Sequence, residues 1–300
     1  MKDTPHWLKK PVNNNRRICD MKSLFSRYKV NTVCEGALCP NLNECFSKGF
    51  ATFLILGDAC TRSCGFCSVK KADPVSVDPA ETERIAEVVR RLGLRHVVIT
   101  SVTRDDLADG GAGQFVRVIS VLKASSRKPA VEALVPDFNG EHACVKKIVG
   151  AGPDIFGHNI ETVPRLYPIA RSGSIYERSL DVLGLARRVS SRMVTKSGIM
   201  VGLGETEEEL VLTMKDLRQA GCDVLTIGQY LRPGPENLPV ERFVRPEEFE
   251  KYKSIGIELG FKYVSSGPFV RSSYLAEEAY QKMREAENDR CYITAIGRGY

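Results

Sequence analysis

Residues 51–67 read ATFLILGDACTRSCGFC, an apolar run ending at Gly57 and, three positions on, a C-x3-C-x2-C triplet of Cys60, Cys64 and Cys67. The run predicts a buried strand, so the thiols fall at its C-terminal end, where open parallel sheets and barrels carry their chemistry. From residue 51 onward, short β-branched runs alternate with helical periodicity, as repeated βα units around a parallel sheet require. Asp78 and Pro79 open a helix whose Ile85, Val88, Val89 and Leu92 recur on one face. Further strands are predicted at 96–101, 130–135, 154–160, 194–201 and 223–230, and helices at 113–124, 141–149, 176–189 and 246–259. Another helix begins at Thr206, which has capping-box spacing to Glu209, and a last one covers 275–286. Six βα units fall short of the eight that close a full barrel. The expected fold is therefore α/β: a partial (βα)6 TIM-like barrel over 51–260, with a cysteine-bearing extension at 1–50 and a return segment at 261–300.

The 300 residues, 43% apolar and 27% charged, are enough to bury a core. No run approaches the roughly 18 apolar residues of a membrane span, and the N-terminus lacks a secretory apolar core. The expected location is cytoplasmic. The net charge of +6 lies in residues 1–30, which hold eight bases and two acids. Such a basic arm either steers an acidic partner or is simply a solvated extension. A long chain without an export signal has no need of a disulfide framework, so its ten cysteines point to metal or redox chemistry. Cys19, Cys144, Cys222 and Cys291 are scattered and read as small apolar residues.

Three thiolates hold a four-iron cluster by three corners and leave the fourth open, whereas electron-transfer clusters normally have four cysteines. Zinc is the alternative ion for a cysteine triplet. A second triplet, Cys34, Cys39 and Cys45 in TVCEGALCPNLNEC, has C-x4-C-x5-C spacing, with neither a fourth cysteine nor a histidine nearby. Something distant must complete it.

With Phe66 before its third cysteine, the first triplet resembles the hallmark of the radical S-adenosylmethionine enzymes. Across about 29–280, TVCEGALCPNLNEC, ATFLILGDACTRSCGFC, TSVTRDDLADGGAG, HNIETVPRLYP, TKSGIMVGLGET, IGQYLRP and GPFVRSSY occur in an order similar to the lipoyl synthase family. The resemblance implies two [4Fe-4S] clusters and S-adenosyl-L-methionine. Cys60, Cys64 and Cys67 would hold the cluster that cleaves the sulfonium. Cys34, Cys39 and Cys45 would hold an auxiliary cluster completed by Ser273, with Ser272 as the fallback, and consumed as the sulfur source. The activity implied is insertion of two sulfur atoms at C6 and C8 of an octanoyl-lysine on a lipoyl carrier protein. That carrier would be a glycine cleavage H protein or a 2-oxoacid dehydrogenase lipoyl domain, with ferredoxin or flavodoxin as electron donor.

Candidate cofactor contacts are Phe66; Thr100 and Ser101 for the amino group; Asn159 and Glu161 for a ribose; and Lys196 for the methionine carboxylate. Met200 lies in GIMVGLGE, which resembles the superfamily's Gly-rich fifth-strand motif; a plain strand-to-helix turn is the alternative. His158 is read as structural. Arg104, Asp105 and Asp106 either bind substrate backbone or organise their loop, and GGAG at 110–113 reads as a turn. Leu38, Gly36 and Leu275 depart from the family's usual residues, but none is a cluster ligand. A tRNA methylthiotransferase would add an RNA-binding barrel, of which the sequence has no sign, so neither nucleic acid nor a membrane is an expected partner. The default oligomeric state is a monomer.

Overall fold

β-branched runs favour the pleat, and the striped segments between them form helices that cover it. The structure, a computed structural model, describes residues 4–10 and 15–282. Its main sheet holds β1 (Asn31–Thr32), β2 (Thr52–Ile55), β3 (His96–Ser101), β4 (Ala130–Leu134), β5 (Ile155–Gly157), β6 (Val194–Val201), β7 (Val224–Gln229) and β8 (Tyr263–Gly267). The eight stand side by side in chain order. β1 is antiparallel to β2, and every later pairing is parallel. The two ends of the row are not paired with each other, so the barrel is open.

Preceding the six βα units are α1 (Arg16–Tyr28) and α2 (Leu42–Lys48). Within the units come α3 (Glu81–Leu92), α4 (Ala112–Ala124), α5 (His142–Gly150), α6 (Tyr176–Val189), α7 (Glu207–Gln219) and α8 (Pro246–Glu258). The stripe on α3 does what its spacing requires: Ile85, Val88 and Val89 are buried in the core between helices and sheet. Burying each removes about 1.5–3 kcal/mol of apolar exposure. The Thr206 box is closed in both directions, with Glu209 N–H donating to Thr206 Oγ1 at 3.2 Å and Thr206 N–H to Glu209 Oε2 at 2.9 Å.

Two differences from the sequence reading bear on the site. The return segment adds a strand, β8, parallel to β7. The 154–160 run forms a ladder only over Ile155–Gly157; beyond it Glu161, at φ 67°, makes a lone bridge to Ile199. The last helix is seen over 276–282; its continuation to 286, and Cys291, lie outside the described residues. No described helix is long and apolar enough to cross a membrane.

Candidate functional site

The first thiol set is held by a chain that turns sharply off β2. Leu56 and Gly57 both have positive φ, and the buried Glu81 carboxylate accepts the Leu56 N–H at 3.0 and 3.1 Å. The loop then crosses the strand ends. Thr61 N–H donates to Thr103 O at 3.1 Å, Thr103 N–H to Cys60 Sγ at 3.3 Å, and Gly65 N–H to Ala170 O at 2.9 Å. A side chain at Gly65 would meet Ile169 O at 2.7 Å, so only glycine fits between Cys64 and Phe66. Arg62 anchors the loop from within. Its guanidinium donates to Asp105 at 2.7 and 2.9 Å and to Asn139 at 2.8 Å, and pairs with buried Asp137 at 2.7 Å. Arg104 likewise bonds Asp106 and the Leu56 carbonyl, so TRDDL organises its loop. The GGAG segment is a turn at 110–111 running into α4, closed by Asp109, whose carboxylate accepts the Gly111 and Gly113 N–H groups.

In the second set, Cys34 sits on a single turn at Val33–Gly36, Cys45 is on α2, and Cys39 N–H donates to Cys34 O at 3.0 Å. The completing segment arrives from the far end of the chain. Thr52 Oγ1 donates to Ser273 Oγ at 2.8 Å, and the Thr52 backbone N–H serves the Cys34 sulfur. Thr52 thus joins the distant serine to this triplet. Asn41 Nδ2 donates to Phe269 O at 2.6 Å and Tyr274 OH to Glu44 Oε1 at 2.8 Å. The segment crosses β7 at Gly228, where an added Cβ would stand 3.0 Å from the Val270 carbonyl carbon and closer still to its oxygen.

Both sets line one chamber of about 550 Å³, together with Ser272 and Ser273. Phe66, from the cysteine loop, and Thr100, Ser101, Asn159, Glu161 and Met200, from at or just beyond strand ends, also line it. Lys196 does not, which corrects its expected role toward a carboxylate. It enters β6 a layer deeper, and its ammonium is bound by buried Glu132 at 2.8 and 3.0 Å, with His96 3.6 Å from the same carboxylate. The sequence reading missed Arg171, a buried chamber residue whose guanidinium donates to Asn159 O at 2.8 Å and to Tyr167 and Ser179 hydroxyls at 3.1 Å. Its only sequence signal was an arginine a few residues past HNIETVPRLYP.

Burial governs the site's protonation. It pushes the Cys34 thiol up to about 11 and those of Cys45 and Cys67 to about 12, and raises Cys64 as well. Left alone these thiols hold their protons; a cationic centre would displace them. Burial also raises the Glu161 carboxyl, against the pull of Arg171, Asn159 and Arg271. Glu44 goes the other way: burial opposes its charge, but hydrogen bonds from Lys10, Lys48 and Tyr274 hold it down at about 2. His158 is buried with Nδ1 2.8 Å from Val135 O, and desolvation, then Arg171, lowers it to about 3. It is a neutral histidine.

Six buried polar atoms of chamber residues have no hydrogen-bond partner: both ring nitrogens of His96, Ser101 Oγ, His158 Nε2, Asn159 Oδ1 and Arg171 Nε. Buried polar atoms demand partners, and a polar ligand with amino, carboxylate and ribose groups offers them. Gly198 keeps that wall open, because a Cβ there would lie 2.8 Å from Thr226 Oγ1 and 3.0 Å from Asn159 Oδ1. Among the described residues no three His, Cys, Asp or Glu side chains converge tightly enough to share one ion. The donor set, two groups of three soft thiols spread around a space, fits iron–sulfur clusters better than single zinc ions.

An open parallel barrel with a thiol triplet beyond its first barrel strand defines a class, and residues 54–228 match the Radical SAM superfamily model. A solved methylornithine synthase has the same fold, with a TM-score of 0.52 at 15% identity over 71% of this chain and 70% of that one. Lipoyl synthase of Caldicellulosiruptor saccharolyticus is 53% identical, covering 91% of this chain and 96% of that protein. That of Alkaliphilus metalliredigens is 48% identical, covering 96% and 99%. The chain belongs to the lipoyl synthase family, enzymes that insert sulfur into octanoyl groups. Its superfamily implies S-adenosylmethionine and one [4Fe-4S] cluster.

Proposed function

We propose that this chain inserts two sulfur atoms, at C6 and C8, into an octanoyl group amide-linked to a lysine of a carrier protein, with the work divided between its two thiol sets. Cys60, Cys64 and Cys67 would hold the superfamily's cluster by three corners; Cys34, Cys39, Cys45 and Ser273 would hold a second. One observation carries the reading: all six thiols and the Ser273 hydroxyl face a single chamber, with Ser273 tied through Thr52 to the Cys34 loop.

Bound there, the first cluster would supply the electron for reductive cleavage of S-adenosylmethionine, and the second would supply sulfide as a substrate. Unactivated C–H bonds are too weakly acidic for side-chain bases, so hydrogen removal here calls for a radical. Arg62 fixes the first loop. Thr100, Ser101, Asn159 and Glu161, with Phe66 and Met200, surround the nucleoside and amino-acid groups, and Arg171, a cation of the chamber wall, takes the place of Lys196 as the candidate for a carboxylate. Val98 and Leu134 keep water from the alkyl chain. Ser273 offers a harder oxygen donor than thiolate, a poor match for sulfide-bound iron and so the weakest bond of its set. In this reading residues 1–50 carry the second thiol set, 51–260 the barrel, and 261–300 the serine. The carrier is an H protein or a lipoyl domain and the donor a ferredoxin or flavodoxin, in the cytoplasm, with the enzyme acting as a monomer.

The test is anaerobic turnover with octanoylated carrier, S-adenosylmethionine and reductant, beside iron and sulfide analysis. About eight irons per chain are expected for two four-iron clusters. Cys64→Ala should abolish deoxyadenosine formation, whereas Ser273→Ala should keep it and lose lipoyl product. Zinc without sulfide, or deoxyadenosine from the wild type without sulfur transfer, would refute the proposal.

A further inference from the structure

Lys10, in the basic N-terminal arm, is turned into the molecule. Its Nζ donates to Asn41 Oδ1 and to Glu44 Oε2, both at 2.6 Å. It also lies 4.3 Å from the Phe269 ring centroid and 5.1 Å from that of Tyr274. Asn41 and Glu44 stand between Cys39 and Cys45, while Phe269 and Tyr274 bracket the segment carrying Ser273. The same two polar residues reach that segment directly, through the Phe269 carbonyl and the Tyr274 hydroxyl. One ammonium thus meets both halves of the second site. Lys48 also pairs with Glu44, at 3.0 Å, but shares α2 with it and so joins nothing across the site.

We propose that Lys10 is a positioning residue for the second thiol set, holding the 269–274 segment against the Cys39–Cys45 loop so that the Ser273 hydroxyl stays over the thiols. This rests on the two-cluster reading and adds to it what keeps the fourth ligand in place. Residues 272–275 form a turn with no strand ladder of their own, and a hydroxyl is a weak donor to iron. Its occupancy is then set by how firmly its segment is tethered, as for any linked weak ligand. A cation with two charge-assisted or polar acceptors and two aromatic faces, only 24% exposed, is a firmer tether than a solvated ion pair.

The test compares full-length wild type with Lys10→Met, Lys10→Arg and Tyr274→Phe, reconstituted anaerobically. In Lys10→Met a ferrous chelator should take half of the iron at least about tenfold faster than in wild type, the lower bound set by losing the charge-assisted hydrogen bond to Glu44, with the other half unchanged. In the metal-free protein, amide exchange at residues 269–275 should rise by a similar factor while β2 stays protected. Lys10→Arg should restore most of both effects. Tyr274→Phe, which removes only a hydroxyl, should reproduce both more weakly, and it takes over the test if Lys10→Met does not fold. Unchanged chelation and exchange, or a lower melting temperature without either, would overturn the inference. Wild type holding about four irons would instead overturn the two-cluster reading, leaving exchange to judge the tether by itself.

Discussion

Replacing Lys196 by Met tests whether this cation serves the fold or a ligand. Its ammonium is 2.8 and 3.0 Å from the two oxygens of Glu132, and both side chains are almost fully buried, at 4% and 1% exposure. At that separation the attraction is roughly 5–6 kcal/mol for an effective dielectric of about 20. Removing one partner strands the other charge and costs about 3–5 kcal/mol. For a chain of 300 residues the melting temperature should fall by roughly 5–8 °C. Burial works against the Glu132 charge, but Lys196 and His96 outweigh it and hold its carboxyl below the ordinary range. The pair's stabilisation is therefore present above the unfolded carboxylate pKa and is lost as pH falls through the lower folded value. Lys196→Met paired with Glu132→Leu should recover much of the loss, because an apolar pair leaves no charge stranded. Thermal and urea unfolding of the metal-free single and double variants measures this. A Lys196→Met protein that melts with wild type but binds S-adenosylmethionine at least tenfold more weakly would refute the reasoning and restore the lysine to the cofactor.

Gly228→Ala should push the Val270 carbonyl aside by on the order of 1 Å, the shortfall from ordinary carbon contacts. It should cost about 1–3 kcal/mol and, on the two-cluster reading, about half of the iron; unchanged iron and melting temperature would contradict it. Gly198→Ala crowds only side-chain ends, so it should weaken S-adenosylmethionine binding more than it lowers stability, as calorimetry on the loaded enzyme can establish. His158 has a folded pKa of about 3, depressed from 6.5. Its neutral form therefore favours folding fully above pH 6.5, and stability drains away by up to about 1.4 kcal/mol per pH unit on the way down to 3. His158→Asn should flatten that slope in pH-dependent urea unfolding.

The sequence was most legible where one physical signal dominated. The HVVITS run of β3, the TKSGIMV run of β6 and the Thr206–Glu209 box specify their elements locally, and the structure has them at the expected positions. The strand Tyr263–Gly267 was missed because Ser-Ser-Gly carries no β signal; its pairing with β7 decides it. Lys196 was assigned to the cofactor because strand alternation tells which side chains point inward, not how deep they lie. Arg171 follows a short helix at Tyr167–Ala170, and tertiary folding brings it beside Glu161 and Cys64. Lys10 reads as part of a solvated arm until Phe269 and Tyr274 are folded against it.

The hydrogen bond from Thr52 to Ser273 joins residues 221 positions apart. A ribosome adding about 5–20 residues per second would need roughly 10–45 s between making one and the other. On the two-cluster reading, the N-terminal cysteines pass that interval without their fourth donor. On that reading a polypeptide cut short before Ser273 can gather Cys34, Cys39 and Cys45 but cannot enclose them, so delivery of iron and sulfide to that pocket belongs after the 269–274 segment has been made.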